Sequence, residues 1–126
     1  MQIVAFEKYI HVSPRKLGLV VDSVKHLSPL VAVAHLKHLN KSGAVPLKKA
    51  IDAALANSKQ KNLKEDELLF AHIEVLPGSS MRRFRAVSRG MAHSYRKRMS
   101  HIKVILTEKP KTEKKIIQNI KKVEKK

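Results

Sequence analysis

The sequence predicts an α+β fold in which three helices pack on a small antiparallel three-stranded sheet, with a long protruding β-hairpin. Three observations support this prediction. Apolar residues alternate in strand-like segments near both ends of residues 1–107, helical periodicity fills residues 13–58, and a long basic segment separates the last two strands. The order of one strand, three helices and two further strands favours helices that cover one face of the sheet.

Residues 2–10, QIVAFEKYI, are typical of a β-strand because apolar side chains recur along the whole segment. Successive side chains of a strand point to opposite faces of the sheet. This alternation predicts one face formed by Ile3, Ala5 and Tyr9, and another formed by Val4, Phe6 and Ile10.

Three helices follow this strand. Ser13 and Pro14 suit the N-cap and the first helical position, and the same pair recurs at Ser28 and Pro29. The third helix, within residues 43–58, has the clearest apolar stripe. The predicted buried faces comprise Leu17, Val20, Val21 and Val24 in the first helix, Ala32, Leu36 and Leu39 in the second, and Leu47, Ala50, Ile51, Ala54 and Leu55 in the third.

Residues 67–75 and 101–106 are the two remaining predicted strands. Alternation directs one residue in two toward the core, namely Leu69, Ala71, Ile73 and Val75 in the first strand and Ile102, Val104 and Leu106 in the second. Because these strands need to pair, the simplest geometry for the chain between them is a hairpin that projects from the sheet. We therefore predict one globular domain at 1–107 that includes an extended hairpin at 78–100.

The hairpin segment, GSSMRRFRAVSRGMAHSYRKRMSH at 78–101, contains seven Arg or Lys residues and no acidic residue. Gly90 is free to adopt the positive φ of a tight turn. We expect the cations of one leg to face those of the other, Arg82, Arg83 and Arg85 opposite Arg96, Lys97 and Arg98. Like charges across a ribbon destabilise it, so we expect surrounding phosphates to stabilise this arm. The alternative is a solvated loop, which the strands anchoring both ends disfavour.

Arg15 and Lys16 form a second basic site in the first turn of the first helix. Cations at a helix N-terminus oppose the helix dipole. A bound phosphate would reverse this effect, because free N–H groups and both side chains would point at it. The alternative is a pair of solvated surface charges.

The whole chain is strongly basic, with 27 Lys or Arg against 10 Asp or Glu among 126 residues and a formal net charge of +17. The predicted partner is therefore a polyanion. Nucleic acid is favoured over a membrane surface because the cations are not confined to one face of an amphipathic helix. The absence of cysteine excludes disulfides and cysteine-ligated zinc. His35 and His38 lack a third metal ligand at fixed spacing, and the sequence predicts no metal site, no cofactor and no catalytic residue.

Residues 108–126 form a lysine-rich C-terminal tail whose composition is typical of disorder. The alternative is a helix that forms on binding, with an apolar stripe of Ile116, Ile117, Ile120 and Val123. The tail is predicted to be separate from the globular domain.

Two segments resemble the L-twenty-two family of large-subunit ribosomal proteins in its bacterial form. They are YIHVSPRKLGLVVD at 9–22 and MRRFRAVSRGMAHSYRKRMSHIKVIL at 81–106, within a resemblance that extends from residue 6 to about residue 108. The second is long and specific, with a basic-basic-Phe start, a central Arg-Gly and a closing Lys-Arg-x-Ser-His-Ile-x-Val. The resemblance implies a globular domain on the outer face of the large subunit, a hairpin threaded through its rRNA, and no catalytic activity.

The resemblance also implies roles for particular residues. Contacts with rRNA are expected from Arg15, Lys16, Arg82, Arg83, Arg85, Arg89, Arg96, Lys97, Arg98 and His101. The tip, formed by Arg89, Gly90, Met91 and Ala92, is expected at the wall of the nascent-peptide exit tunnel. The expected partners are large-subunit (23S) rRNA, neighbouring large-subunit proteins and the nascent peptide. Neither a membrane nor a second copy of the chain is expected as a partner, and the expected location is cytoplasmic and ribosome-bound.

The tip departs from the family pattern, Pro-Arg-Ala-Arg-Gly-Arg-Ala. Residues 86–92 read Ala-Val-Ser-Arg-Gly-Met-Ala, so Val87 and Met91 stand where the pattern has arginine, and the proline is absent. This tip should be less positive, and its leg less rigid. Two alternative functions are an architectural DNA-binding protein with a basic β-arm and a membrane-surface protein that acts through its tail.

Overall fold

The computed structural model describes residues 2–108. The elements follow in the order β1 (Gln2–Ile10), α1 (Pro14–Val24), α2 (Pro29–His38), α3 (Ala44–Gln60), β2 (Leu68–Ala86) and β3 (Ala92–Glu108), with a short 3-10 turn, Glu65–Glu67, before β2. The predicted α+β fold of three helices and a three-stranded antiparallel sheet is confirmed. The predicted tail lies outside the described residues from residue 109 onward.

The sheet has the strand order β1-β3-β2, so the last strand of the chain lies in the centre. β1 pairs with β3 only between Ser100 and Thr107. β2 pairs with β3 from its start to the pair Ala86 and Ala92. Consequently the sheet has three strands at its base and continues beyond Ser100 as a two-stranded hairpin.

The core lies between the helices and one face of the sheet. The predicted buried stripes of α1 and α3 are confirmed, because every residue named for them is buried. In α2, Ala32 and Leu36 are buried and Leu39 packs against the core at its edge. The sheet contributes Ile102, Val104 and Leu106, whose side chains have no exposed area. Within residues 2–108, no helix combines the length and apolarity needed to span a bilayer.

The predicted faces of β1 are wrong beyond Glu7. The register with β3 shifts between Glu7 and Ile10, and Tyr9 adopts the left-handed backbone conformation with φ 57°. A β-bulge of this kind adds one residue to the strand and reverses the alternation after it. As a result Ile10 joins Ile3 on the buried face, and Tyr9 is exposed.

The predicted inward set of β2 is half wrong for a similar reason. Ile73 and Val75 pack against the core as expected. A register shift between Phe70 and His72 leaves Ala71 without a partner in β3. Before this shift the even-numbered residues face the core instead of the odd-numbered ones. Phe70 therefore packs against the core, Leu69 points to the other face, and Ala71 is exposed.

Candidate nucleic-acid interface

The hairpin projects as a continuation of β2 and β3 beyond a register shift between Pro77 and Ser80. All residues from Arg82 to Arg98 are exposed, and the strands remain paired to Ala86 and Ala92. Cross-strand partners lie on the same face of an antiparallel ribbon. One face therefore carries Arg82, Phe84, Ser94 and Arg96, and the other carries Met81, Arg83, Arg85, His93, Tyr95 and Lys97. Each face thus places cations beside an exposed aromatic ring.

The predicted opposition of the two basic legs is largely wrong. Arg82 and Arg96 are the one pair of arginines that face each other directly, whereas Arg83 faces Tyr95. The guanidinium group of Arg83 also donates to the carbonyl oxygen of Arg82 and to the sulfur of Met81, both at 3.2 Å. Because most cations face a neutral partner, the register reduces the like-charge repulsion that the sequence predicts.

A five-residue turn from Val87 to Met91 closes the hairpin, and the N–H of Val87 donates to the carbonyl oxygen of Met91 at 2.9 Å. Gly90 has φ 69°, which confirms the predicted glycine turn. Arg89 has φ 58°, a left-handed conformation that costs a non-glycine residue about 1 to 2 kcal/mol. Val87 and Met91 are exposed beside it, so the tip presents one cation between apolar side chains.

The N-terminus of α1 offers backbone N–H groups without a side-chain cap. Ser13 occupies the N-cap position and Pro14 the first helical position, as the sequence predicts. The Ser13 hydroxyl makes no capping hydrogen bond, and the first turn contains no acidic residue. The first N–H groups of a helix have no intrahelical acceptor. This end of α1 is therefore suited to an anion, with Arg15 and Lys16 exposed beside it.

The structure brings the two predicted basic sites together. Arg15 lies with Arg96 and Arg98 around a cleft of about 560 Å³ between α1 and the hairpin base. Lys16 lies with the same two arginines around an adjoining cleft of about 410 Å³. We refer to both as the basic cleft, which is lined by His11, Ser13, Pro14, Arg15, Lys16, Ser42, Pro77, Gly78, Ser80, Tyr95, Arg96, Lys97, Arg98 and Met99.

The predicted rRNA-binding residues fall into three places. Half of them line the basic cleft, namely Arg15, Lys16, Arg96, Lys97 and Arg98. Four more are on the hairpin beyond the cleft: Arg82, Arg83, Arg85 and Arg89. His101 lies in neither place, because its ring is next to Tyr9 at the other edge of the hairpin base.

Sequence reasoning missed several residues that line the basic cleft. Tyr95 was detectable, because an aromatic residue within a run of cations is typical of RNA-binding surfaces. His11 and Ser42 had no such signal. Ser42 belongs to the loop between α2 and α3 and reaches the cleft only through the packing of the helices.

The acidic side chains in the ion pairs that the structure describes belong to the globular domain. Asp22 pairs with Lys25 at 2.9 Å and Glu65 with Lys59 at 3.0 Å. Glu74 pairs with Lys103 at 3.3 Å. The hairpin itself has no acidic residue, so its arginines have no acid of their own leg or of the opposite leg to pair with. Among the side chains of residues 2–108, no group of three or more His, Asp or Glu is placed to hold a metal ion.

Comparison with known proteins places the chain in a family. The statistical model of the family described as Ribosomal protein L22p/L17e matches residues 5–107. Large ribosomal subunit protein uL22 of Mycoplasma mycoides subsp. mycoides is 39% identical over 100 residues, which cover 79% of this chain and 90% of that protein. The uL22 protein of Desulfosudis oleivorans is 35% identical over 108 residues, covering 86% of this chain and 95% of the relative. The uL22 protein of Malacoplasma penetrans is 36% identical over 122 residues, which cover 96% of this chain and 90% of that protein. This chain belongs to the ribosomal protein L22p/L17e family.

Proposed function

We propose that this chain is a structural protein of the large ribosomal subunit that binds large-subunit rRNA through its hairpin and its basic cleft. The proposal rests on one observation. Arg15, at the uncapped start of α1, lines the same cleft as Arg96 and Arg98 of the hairpin base. We propose that the globular domain and hairpin, residues 1–107, act as one RNA-binding unit.

The charges of the basic cleft favour a phosphate group. Arg15, Arg96 and Arg98 repel one another when the cleft is empty, and Arg15 also opposes the dipole of α1. A phosphate oxygen accepts hydrogen bonds from both the backbone N–H groups and the guanidinium groups, which reverses the sign of each of these interactions. The RNA backbone supplies such phosphates at regular spacing, so it fits a cleft that continues along a basic hairpin.

The exposure of the hairpin supports its insertion into RNA. A two-stranded ribbon is marginally stable alone in water. Each face of this ribbon combines arginines with an exposed ring, Phe84 on one face and Tyr95 on the other. Arginines neutralise phosphates and aromatic rings stack on unpaired bases, so both faces are equipped to contact RNA at once.

The family resemblance supports a position for the tip at the wall of the exit tunnel. In this proposal Arg89, Gly90, Met91 and Ala92 face the nascent peptide. Val87 and Met91 make the wall more apolar here than arginine would, since both side chains are exposed. Neighbouring large-subunit proteins are the further partners. Membership of a ribosomal protein family is consistent with a structural rather than an enzymatic role and with a cytoplasmic, ribosome-bound chain.

The salt dependence of binding to a large-subunit rRNA transcript tests the proposal. We expect the logarithm of the binding constant to fall steeply with the logarithm of salt concentration, because each neutralised phosphate releases counterions. Replacing Arg96 and Arg98 by Gln should reduce this slope by about 1.4 to 1.8. The control replaces Lys25 and Lys59, which pair with acids on the globular domain, by Gln.

Two results would contradict the proposal. One is a binding constant that does not change with salt. The other is stronger binding to duplex DNA than to the rRNA transcript in direct competition, which would favour the architectural DNA-binding alternative.

A further inference from the structure

Three rings form a cluster at the hairpin base, on the sheet face that points away from the buried side of β3. The centroid of the His101 ring lies 5.0 Å from that of Tyr9, edge to face, and 6.1 Å from that of Phe6. Tyr9 is 59% exposed and Phe6 44% exposed. We refer to Phe6, Tyr9 and His101 as the ring cluster. Its exposed rings are part of neither the hydrophobic core nor the basic cleft.

The backbone is arranged so that Tyr9 remains on the outside. The bulge in β1 interrupts the regular ladder with β3, and the N–H of Tyr9 donates instead to Nδ1 of His101 at 2.9 Å. The left-handed conformation of Tyr9 costs about 1 to 2 kcal/mol for a residue other than glycine. Backbone strain and β-bulges are both common at functional sites, where they direct a side chain toward a ligand.

Gly78 allows the imidazole ring of His101 to lie close to β2. A Cβ atom on Gly78 would be 3.2 Å from both Cε1 and Nε2 of that ring. Gly78 also lines the basic cleft, so a single residue of β2 separates the cleft from the ring cluster. The ring cluster therefore lies next to the interface to which the proposed function assigns RNA binding.

The charge around the ring cluster suits a nucleotide. Nζ of Lys8 lies over the ring of Phe6, 5.4 Å from its centre, so a base that stacks on Phe6 takes the place of this cation, which then turns to the phosphate of that nucleotide. The nearby acid on this face, Glu74, is within 3.3 Å of Lys103 and 3.6 Å of His72. Its negative charge is thus offset by Lys103. The chain's own segment 109–126, which is rich in lysine, would instead add like charge beside Lys8.

We propose that the ring cluster stacks on an unpaired base of RNA, while Lys8 contacts the phosphate of that nucleotide. The proposal rests on the proposed function and names one further site for it. Stacking on aromatic side chains is the usual way in which proteins hold unpaired bases, and it tolerates any base because each has an aromatic face. Phe6 and Tyr9 supply the stacking surface, and His101 accepts the hydrogen bond from the backbone N–H of Tyr9.

Two double variants of the full chain test this site against the large-subunit rRNA transcript. Phe6→Leu with Tyr9→Leu removes both rings and keeps the apolar bulk. Phe6→Tyr with Tyr9→Phe keeps both rings and the same total composition. We expect the leucine variant to bind about 5- to 150-fold more weakly, the effect of losing one stacked base, with the salt slope reduced by at most about 0.9, since the Lys8 contact is the one phosphate contact that depends on this base. The ring-swapped variant should bind as the original chain does.

Ultraviolet crosslinking of the original chain to the transcript provides a second measurement. We expect a nucleotide adduct on a peptide that contains Phe6 or Tyr9. If the leucine variant fails to unfold cooperatively, Phe6→Leu alone takes its place, because Phe6 precedes the bulge.

Equal affinity of the leucine and ring-swapped variants would overturn the stacking site, and this result would favour a protein partner or segment 109–126 on the ring cluster. The original chain would then still bind rRNA with its full salt slope, so the proposed function would stand. Failure of the original chain to bind the transcript would instead overturn both proposals.

Discussion

The hydroxyl group of Ser100 donates a hydrogen bond of 2.8 Å to the carbonyl oxygen of Val12. Ser100 is completely buried in β3 at the hairpin base, and Val12 immediately precedes the N-cap of α1. This bond joins two segments that are remote in the sequence. It holds the start of α1 against the strand that carries Arg98, and residues of both segments line the basic cleft.

Replacing Ser100 by Ala should lower the free energy of unfolding by about 1 to 2 kcal/mol, because the partly buried carbonyl of Val12 loses its partner. Denaturant unfolding measures this loss, and the affinity for the rRNA transcript should fall with it. Ser58→Ala is the control, since Ser58 is equally buried but donates to Leu55 within its own helix, at 2.6 Å. A loss of rRNA affinity in the Ser58 variant as large as that in the Ser100 variant would contradict the role of the Ser100 bond in the cleft.

Replacing Gly43 and replacing Gly18 by Ala should change the stability of the domain in opposite directions. A Cβ atom on Gly43 would lie 3.0 Å from Cδ1 of Leu17 and 3.3 Å from Cγ2 of Val20, both in the packed core. We expect Gly43→Ala to destabilise the domain by about 1 to 3 kcal/mol through overpacking. Gly18 lies within α1, and among residues 2–108 no atom beyond its chain neighbours and the adjacent helical backbone lies within 4 Å of such a Cβ. Gly18→Ala should therefore stabilise the domain by about 0.5 to 1 kcal/mol, and thermal unfolding of both variants checks the two signs.

Arg15 and Arg98 should act together on RNA if one phosphate bridges them. Each is replaced by Gln, singly and together, and the affinity for the rRNA transcript is measured at fixed salt. Because both line the same cleft, we expect a coupling energy of about 1 kcal/mol between the two substitutions. Arg15 and Arg85 form the control pair, since Arg85 lies far along the hairpin and its effect should add to that of Arg15. Additive effects for Arg15 and Arg98 would argue for separate phosphate contacts.

The hairpin should be separable from the domain at the pair Ser80 and Arg98. Joining these residues by an Asn-Gly turn removes residues 81–97 and keeps Met99, which is buried. We expect cooperative thermal unfolding to remain, while the salt slope for the rRNA transcript falls by about 4 to 5 with the loss of six cations. A deletion that also removes Met99 should lower the free energy of unfolding by about 2 to 4 kcal/mol more, the loss expected for a core side chain. Loss of cooperative unfolding in the shorter deletion would show that the hairpin stabilises the domain.

Helical periodicity predicted the helices well because it is a local property. The stripe from Leu17 to Val24 and the stripe from Leu47 to Leu55 are buried as the spacing indicates. The strand faces were less predictable. Tyr9 and Ala71 lie at irregularities of the ladder, and the position of a bulge depends on the partner strand rather than on the bulged strand alone.

The features of the candidate site likewise divide into those that the local sequence predicts and those that depend on the tertiary structure. The sequence by itself determined the excess of positive charge, the helix start at Ser13 and Pro14, and a basic hairpin free of acidic residues, because composition and local spacing are sufficient for each. Only the tertiary structure decided that Arg15 shares a cleft with Arg98 and that Tyr9 lies beside His101. Both of these spatial arrangements depend on the position of β3 in the centre of the sheet, where long-range hydrogen bonds join it to the segment before α1 and to β1.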